Sequence, residues 1–360
     1  MKGMQVFKSL AVTVATILIV ITGLLAVIYL ITFHPKPVQA ATLVCPAQTP
    51  TLMAGQDVRV LNYNVQYFAG KDYIFYYDVA DNAGPHTRPS PDAITSTFVG
   101  ISELILEQNP DVLILQEIHD GAKATDYENQ TERLLSLLQG QYPCYSEAFY
   151  WQAKFVPHGS IMGSVGMKLV TLSKYKIETS HRYALSQMST DFITKAFNLK
   201  RAIMTSELPV SNGTTFTVLN THLDAFSQGM NTMELQVAEV GGLLAETKSP
   251  WVIGGDFNLL PPQHYEDLPE SQQIWYNPQT EITPLLSLYQ SVPSLENLNS
   301  VERHEWYTHY PNDPQVSGPD RTIDYLFYSS TLGLQTSQVI RGKALTLSDH
   351  LPVVATFQLP

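Results

Sequence analysis

A carboxylate and an amide separated by a single residue, Asp256 and Asn258, close the apolar run of SPWVIGGDFNLLPP at 249–262. Side chains two apart in extended chain point the same way, so both can face one ligand where a strand opens into a loop. An ordinary Asp/Asn turn is the alternative. The pattern recurs: Asn64 follows an apolar alternation, Glu117 ends DVLILQE, His222 ends VLNTHL, Asp324 sits in RTIDYLF, and Asp349-His350 precedes the last strand pattern. Taken singly, such residues are most often turns, caps or structural histidines. Their repetition after apolar runs is what points to chemistry, because loops at one edge of a sheet converge there. Oxygen donors of this kind suit Mg²⁺, with Mn²⁺ as the alternative ion, rather than zinc, and there is no CxxC or zinc-type Cys/His spacing.

The elements that must position these residues follow from hydrophobic period. VRVLNYNV at 58–65 alternates as a half-buried strand does, and Ile94, Phe98, Ile101, Leu104 and Ile105 recur at helical spacing within 92–108. PDVLILQE reads as a buried strand, and a second helix fits 127–139. Strands are expected at 163–173, 200–208 and 214–223, the last two joined through the turn signal Asn212-Gly213. A helix at 230–246 leads into PWVIGGDFN, and strands at 321–329, 334–342 and 352–359 end the chain. Hairpins mixed with helical crossovers predict two packed mixed sheets covered by helices, an α/β class.

Ahead of this domain, Leu10 to Phe33 run without a charge behind Lys2 and Lys8. About 20 apolar residues span a bilayer, and the positive-inside rule places the lysine-bearing end in the cytoplasm and the rest outside it. The expectation is a single-pass anchor at 1–33, with a signal peptide cleaved after Ala40 as the rival. Residues 34–56 hold four prolines and no helical period, which reads as a linker of at most ~70 Å before a domain at 57–360. Three of the 21 basic residues and no acidic one lie in the first 40, so the remainder carries 18 basic against 33 acidic groups, a net charge of −15. Sequence-blind polyanion binding is disfavoured by that charge. Cys45 and Cys144 are the only cysteines; an exported location permits their pairing, and two free thiols are the alternative. Two Asn-x-Thr sequons, at Asn129 and Asn212, match a pattern too short to carry an argument.

VLNYNVQYF, DVLILQEI, VLNTHLDAF, WVIGGDFNLLP, RTIDYLFYS and LSDHLPVVATF, in this order, resemble the blocks of the endonuclease/exonuclease/phosphatase superfamily, which includes DNase I-like enzymes and neutral sphingomyelinases. The resemblance spans 57–360 and implies a four-layer α/β sandwich, one or two Mg²⁺ ions and hydrolysis of phosphoesters. Carried over by position, it implies Glu117 as principal metal ligand, with Asn64 and Asp349 beside the metal or the phosphate. It implies that His350 pairs with Asp324, that His222 and Asn258 donate to the phosphate, and that Asp256 orients the attacking water. Either Asp256 or a histidine then takes the water's proton. Arg201, opening a strand with Lys200, supplies one more cation at the phosphate or is a salt-bridged surface residue.

Abasic-site endonucleases of the superfamily typically carry Tyr where this chain has His222, which sides the chain with the DNase I and sphingomyelinase branches. The segment 71–92 follows the Asn64 strand, where substrate-selecting loops tend to sit, with a packed surface loop as the equal alternative; its Tyr73, Ile74, Phe75, Tyr76 and Tyr77 are residues suited to a membrane interface. The expectation is a membrane-anchored, Mg²⁺-dependent phosphodiesterase whose substrate is a phospholipid or lipid-linked phosphoester. An extracytoplasmic nuclease is the first alternative. A catalytically idle binding protein is the second, weakened because every expected site position holds a competent residue.

Overall fold

The computed structural model describes residues 2–79, 83–225 and 229–360. Residues 80–82 of the aromatic segment and 226–228, including Phe226 of NTHLDAF, lie outside the described residues. In chain order the strands are β1 (Val38–Ala40), β2 (Thr42–Val44), β3 (Asp57–Asn64), β4 (Val112–His119), β5 (Cys144–Val156), β6 (Gly163–Ser173) and β7 (Thr179–Ala184). They continue with β8 (Ala202–Pro209), β9 (Thr215–His222), β10 (Trp251–Asp256), β11 (Gln290–Val292), β12 (Asp324–Tyr328), β13 (Gly333–Val339) and β14 (Val353–Gln358). Two seven-stranded sheets result, ordered β13-β14-β3-β4-β6-β5-β2 and β1-β7-β8-β9-β10-β12-β11. Both are mixed and flanked by helices, the α/β sandwich the resemblance implies.

Helix α1 (Lys2–Ile31) precedes the sheets. Each sheet contains one parallel pair, and each pair needs a helical crossover. Between β3 and β4 runs α2 (Pro91–Gln108), started by the Ser90 cap and Pro91 and stopped at Asn109, which adopts φ +47°. Its Ile94, Phe98, Ile101, Leu104 and Ile105 are buried, as the spacing predicts. After it come α3 (Gln130–Leu137), α4 (Phe192–Phe197) and α5 (Thr232–Glu246), the crossover between β9 and β10. The parallel pairs β3/β4 and β9/β10 pack against one another across the sandwich. The contact is close because β10 carries glycine there: a Cβ on Gly254 would sit 2.9 Å from Leu326 Cδ2 and 3.0 Å from both Asn62 Oδ1 and Ile114 Cδ1.

The linker expected at 34–56 is corrected by the structure. β1 pairs antiparallel with β7 and β2 with β5, so this segment adds an edge strand to each sheet. Cys45 and Cys144 form a disulfide, and Leu52 N–H donates to the Pro209 carbonyl. No ~70 Å tether exists as a result. β-bridging and a cross-link hold the prolines' neighbours in place, and a three-residue strand is too short to show a period. β5 and β7 were not legible either: β5 carries Tyr145, Phe149 and Trp151 on its less buried face, which erases the apolar/polar contrast, and β7 is TSHRYA, with Arg182 buried.

Candidate active site

The site forms where the two parallel pairs end. In register, Asn64 lies beside Gln116 and Asp256 beside His222, so the carboxyl ends of β3, β4, β9 and β10 meet at one rim, a common ligand-binding location in open α/β sheets. Asn64 Nδ2 donates to Glu117 Oε1 at 3.1 Å and to Asp256 Oδ2 at 3.0 Å. One amide thus ties the two sheets together at the site.

Glu117 reaches this position by breaking the strand's alternation. Gln116 faces the inter-sheet space, so the next side chain would ordinarily point away. The β4/β6 register shifts between Leu115 and Ile118, and Glu117 adopts φ +60°. A bulge re-aims the side chain toward the rim, and a non-glycine residue in this conformation is held there by its surroundings.

Asp324, buried on β12, accepts from the His350 ring: Nδ1 lies 2.9 Å from Asp324 Oδ2. Thr308 Oγ1 accepts from the Asp324 backbone N–H at 3.0 Å. Nε2 of His350 faces Asp256 Oδ2 at 3.5 Å and Asp349 Oδ1 at 3.9 Å. Burial opposes the imidazolium, but Asp324, Asp256 and Asp349 outweigh it and raise the His350 pKa well above its ordinary value. His222 is the opposite case. Its Nε2 lies 3.4 Å from Asp256 Oδ2 and its Nδ1 3.2 Å from the Tyr150 hydroxyl, yet burial, Arg201 and the His350 charge push its pKa well down. His222 is therefore neutral, and the 3.4 Å approach of its Nε2 to Asp256 is not an ion pair.

The carboxylates are strained electrostatically. Burial, with Asp349 next in importance, raises Glu117 to about 7, and burial raises Asp256 to about 7 despite His350. Buried carboxylates this close to one another are the environment a divalent cation relieves. Two donor groups among the described residues, His309 with Asp349 and His350, and Asp256 with Asp324 and His350, have ligand atoms within 4.8 Å of one another, and both include His350. An imidazolium held by Asp324 is a poor ligand, so the oxygens of Glu117, Asp349 and Asn64 fit a hard cation better. Asn64 Oδ1 already accepts the Gln66 backbone N–H at 3.0 Å.

Asn258 adopts φ +53°. Its backbone N–H donates to Asp256 Oδ1 at 2.9 Å and its Nδ2 to the Leu223 carbonyl at 3.2 Å, so the GDF-N spacing closes a turn and presents both residues at the cleft. Arg201 is buried at the cleft wall with Asp224 at 3.0 Å and its guanidinium 5.2 Å from the Tyr150 ring centre. It is neither a free cation nor a surface residue.

Several members were not singled out from sequence. Gln66 Nε2 donates to Asp349 Oδ2 at 2.8 Å, Tyr150 holds His222, and Thr308 holds Asp324. Beneath the rim, Gln116 Nε2 donates to Asn62 Oδ1 at 3.0 Å and Asn220 Oδ1 at 2.8 Å. A signal existed for the last set: Asn62-x-Asn64 and Asn220-x-His222 place two polar residues on one buried strand face. The aromatic segment follows the packed-loop alternative. Phe75 is buried, stacked on Tyr73 and Tyr77 and edge-on to Tyr67, while Tyr76 and Tyr77 line a cleft of about 440 Å³ whose floor is the site. Trp151, Ile161 and Met167 line another wall.

The model of the Endonuclease/Exonuclease/phosphatase family matches residues 61–350. No curated protein matches the chain. Among solved structures, the chain is similar to an endonuclease/exonuclease/phosphatase from Beutenbergia cavernae DSM 12333, at 20% identity and TM-score 0.54, covering 84% of this chain and 72% of that one. It is also similar to the human Nocturnin catalytic domain with bound sulfate anion, at 18% identity and TM-score 0.52, covering 88% of this chain and 96% of that one. These likenesses bear on the fold, while the family match runs from β3 through His350 and so takes in every residue placed at the rim. On that match the chain belongs to the endonuclease/exonuclease/phosphatase family of phosphoester hydrolases.

Proposed function

We propose that this protein is a Mg²⁺-dependent phosphodiesterase, anchored by α1 with its domain outside the cytoplasm, that cleaves a lipid or lipid-linked phosphodiester. The observation that carries the reaction class is the buried Asp324–His350 pair set against Asp256, with Asn64 joining it to Glu117. Glu117, Asp349 and Asn64 would hold the cation, which supplies charge neutralisation at the phosphate. Asp256 is placed to take a proton from the attacking water. Its position is kept by the Asn64 amide and the Asn258 N–H. His350 presents Nε2–H to an oxygen that gains charge, while Asp324 keeps the other ring nitrogen protonated. Neutral His222 and the Asn258 amide donate to the remaining phosphate oxygens, and preorganised donors of this type are a large part of catalysis.

Retention of α1 is supported by β1. Cleavage after Ala40 would remove the strand paired with Tyr183, Arg182 and His181 and the Phe33 ring set against Phe149. The apolar helix Met4–Ile31, uncharged from Ser9 onward, is long enough to cross a bilayer, Lys2 and Lys8 at its start favour a cytoplasmic N-terminus, and the disulfide suits an oxidising compartment. A lipid substrate is supported by the aromatic cleft walls and by the acidic domain charge, which disfavours nucleic acid. The test is turnover of a chromogenic phosphodiester with Mg²⁺, abolished by chelator, then of mixed phospholipid vesicles against plasmid DNA at physiological salt. Loss of all diester turnover would leave an idle fold. Efficient plasmid degradation without head-group release would replace the lipid reading by a nuclease.

A further inference from the structure

The exit of α1 from its span is not a free chain. Six residues, 32–37, separate Ile31 from β1, a reach of at most about 20 Å, and they are held against the domain. Thr32 bridges Ala153 on β5, Phe33 meets Phe149 edge-on, and the Arg182 guanidinium lies 5.7 Å from the Phe33 ring centre.

Beside this junction α1 touches α4. The Asp191 side chain caps α4, accepting from the N–H groups of Ile193 and Thr194, so the short helix is deliberately begun; yet none of its residues is buried. Phe192 is 65% exposed and Ile193 52%. On its inner side Phe197 packs against Ala153, Val156 and Val165, and its carbonyl accepts from Trp151 Nε1 at 2.8 Å. The β5–β6 hairpin that holds α4 exposes Phe155 and Met162 as well. Lys36, Lys154 and Lys195 are exposed on the segments that meet here, and none has a carboxylate within ion-pair distance among the described residues. In a domain of net charge −15, unpaired lysines around exposed Phe and Ile at the foot of a membrane-length helix form a pattern suited to an anionic membrane interface.

We infer that α4 and the tip of the β5–β6 hairpin form a platform that rests in the head-group layer of the bilayer spanned by α1. The inference rests on α1 being a retained anchor. It also orients the site. Trp151, Ile161, Val165 and Met167 of the same hairpin line the active-site cleft, so a platform seated in the head groups places that wall beside the lipid surface and shortens the path of a phospholipid head group to Glu117 and His350. The occupant of the exposed face is thus the bilayer itself, not a protein partner.

The test uses the full chain in nanodiscs of phosphatidylcholine with phosphatidylglycerol. Since the native cysteines are paired, single cysteines can be introduced by Leu24→Cys in α1, Met162→Cys, Ile193→Cys and Val301→Cys, and labelled with an environment-sensitive fluorophore. Val301, 96% exposed, follows β11, the edge strand six steps from β1, about 29 Å away at roughly 4.8 Å per step. The labels at 24, 162 and 193 should shift to the blue and be quenched by nitroxide lipids, while that at 301 stays aqueous. Combined Lys36→Gln, Lys154→Gln and Lys195→Gln changes should lower quenching at 193 by about twofold or more in anionic discs. Labels 162 and 193 behaving like 301 while 24 is quenched would overturn the platform and leave the anchor standing. An unquenched label at 24 would remove the anchor and the platform with it. Shielding at 193 that depends on protein concentration in detergent would assign the face to a second copy of the chain and equally overturn the inference.

Discussion

Asp324→Asn separates charge from shape at a buried pair of the site. Asn keeps an oxygen that can accept from His350 Nδ1 at the present 2.9 Å, but removes the charge that ranks first among the carboxylates sustaining the imidazolium. A hydrogen bond to a charged group contributes about 1.5–3 kcal/mol, and about 1.4 kcal/mol corresponds to tenfold in rate. If Asp324 only orients the ring, the loss in kcat is therefore roughly 10- to 150-fold. If His350 must also carry a proton in the transition state, the loss extends toward about 10²–10⁴. The assay is the pH profile of kcat and KM on a small soluble diester with saturating Mg²⁺, alongside a thermal melt to separate chemistry from unfolding. We expect kcat to fall at least tenfold with little change in KM, and the alkaline limb of the profile to move to lower pH because His350 loses its proton more readily. His350→Gln combined with Asp324→Asn should be little worse than the poorer single variant, since residues acting as a unit are not additive. A variant within about threefold of the parent, with an unmoved alkaline limb, would refute the assignment of charge to His350.

Glu117→Gln should retain the fold but lose most turnover and most of the rise in melting temperature produced by Mg²⁺; an unchanged Mg²⁺-dependent rise would remove Glu117 from the cation site. In the cation-free protein, Glu117 and Asp256 are both raised by burial to about 7. Their contribution to cation-free stability is present below the unfolded carboxylate range and is lost as pH rises through about 7. Cation binding needs the ionised forms, so Mg²⁺ affinity measured by calorimetry should strengthen from pH 6 to pH 8 by about tenfold per unit and per displaced proton below 7, and a flat profile would contradict the burial argument. Removing the disulfide by Cys45→Ser with Cys144→Ser opens a loop of sequence separation 99, worth up to about 4.7 kcal/mol in chain entropy, and should lower the melting temperature by about 5–15 °C. An unmoved midpoint would show that strand pairing alone holds residues 38–45.

What the amino-acid sequence determined by itself was the order of the main elements and the identity of the residues at the rim. Both are local properties. Alternation in VRVLNYN and helical spacing in 92–108 identify β3 and α2 without any partner, and a polar residue closing an apolar run marks a strand end wherever it occurs. Tertiary structure decided everything that depends on a neighbour. β1 and β2 have no period of their own and exist because edges of β7 and β5 lie open to them. The inter-sheet packing closed by Gly254 brings Asn64 to Asp256, from strands 192 residues apart in the chain. The bulge at Glu117 reverses the direction that strand parity assigns to it, and Arg201 proves to be neutralised by Asp224. Charge state belongs to the same class. His222 and His350 are identical side chains in sequence; burial, with Arg201 and His350 beside it, keeps the first neutral, and three carboxylates outweigh burial to make the second an imidazolium.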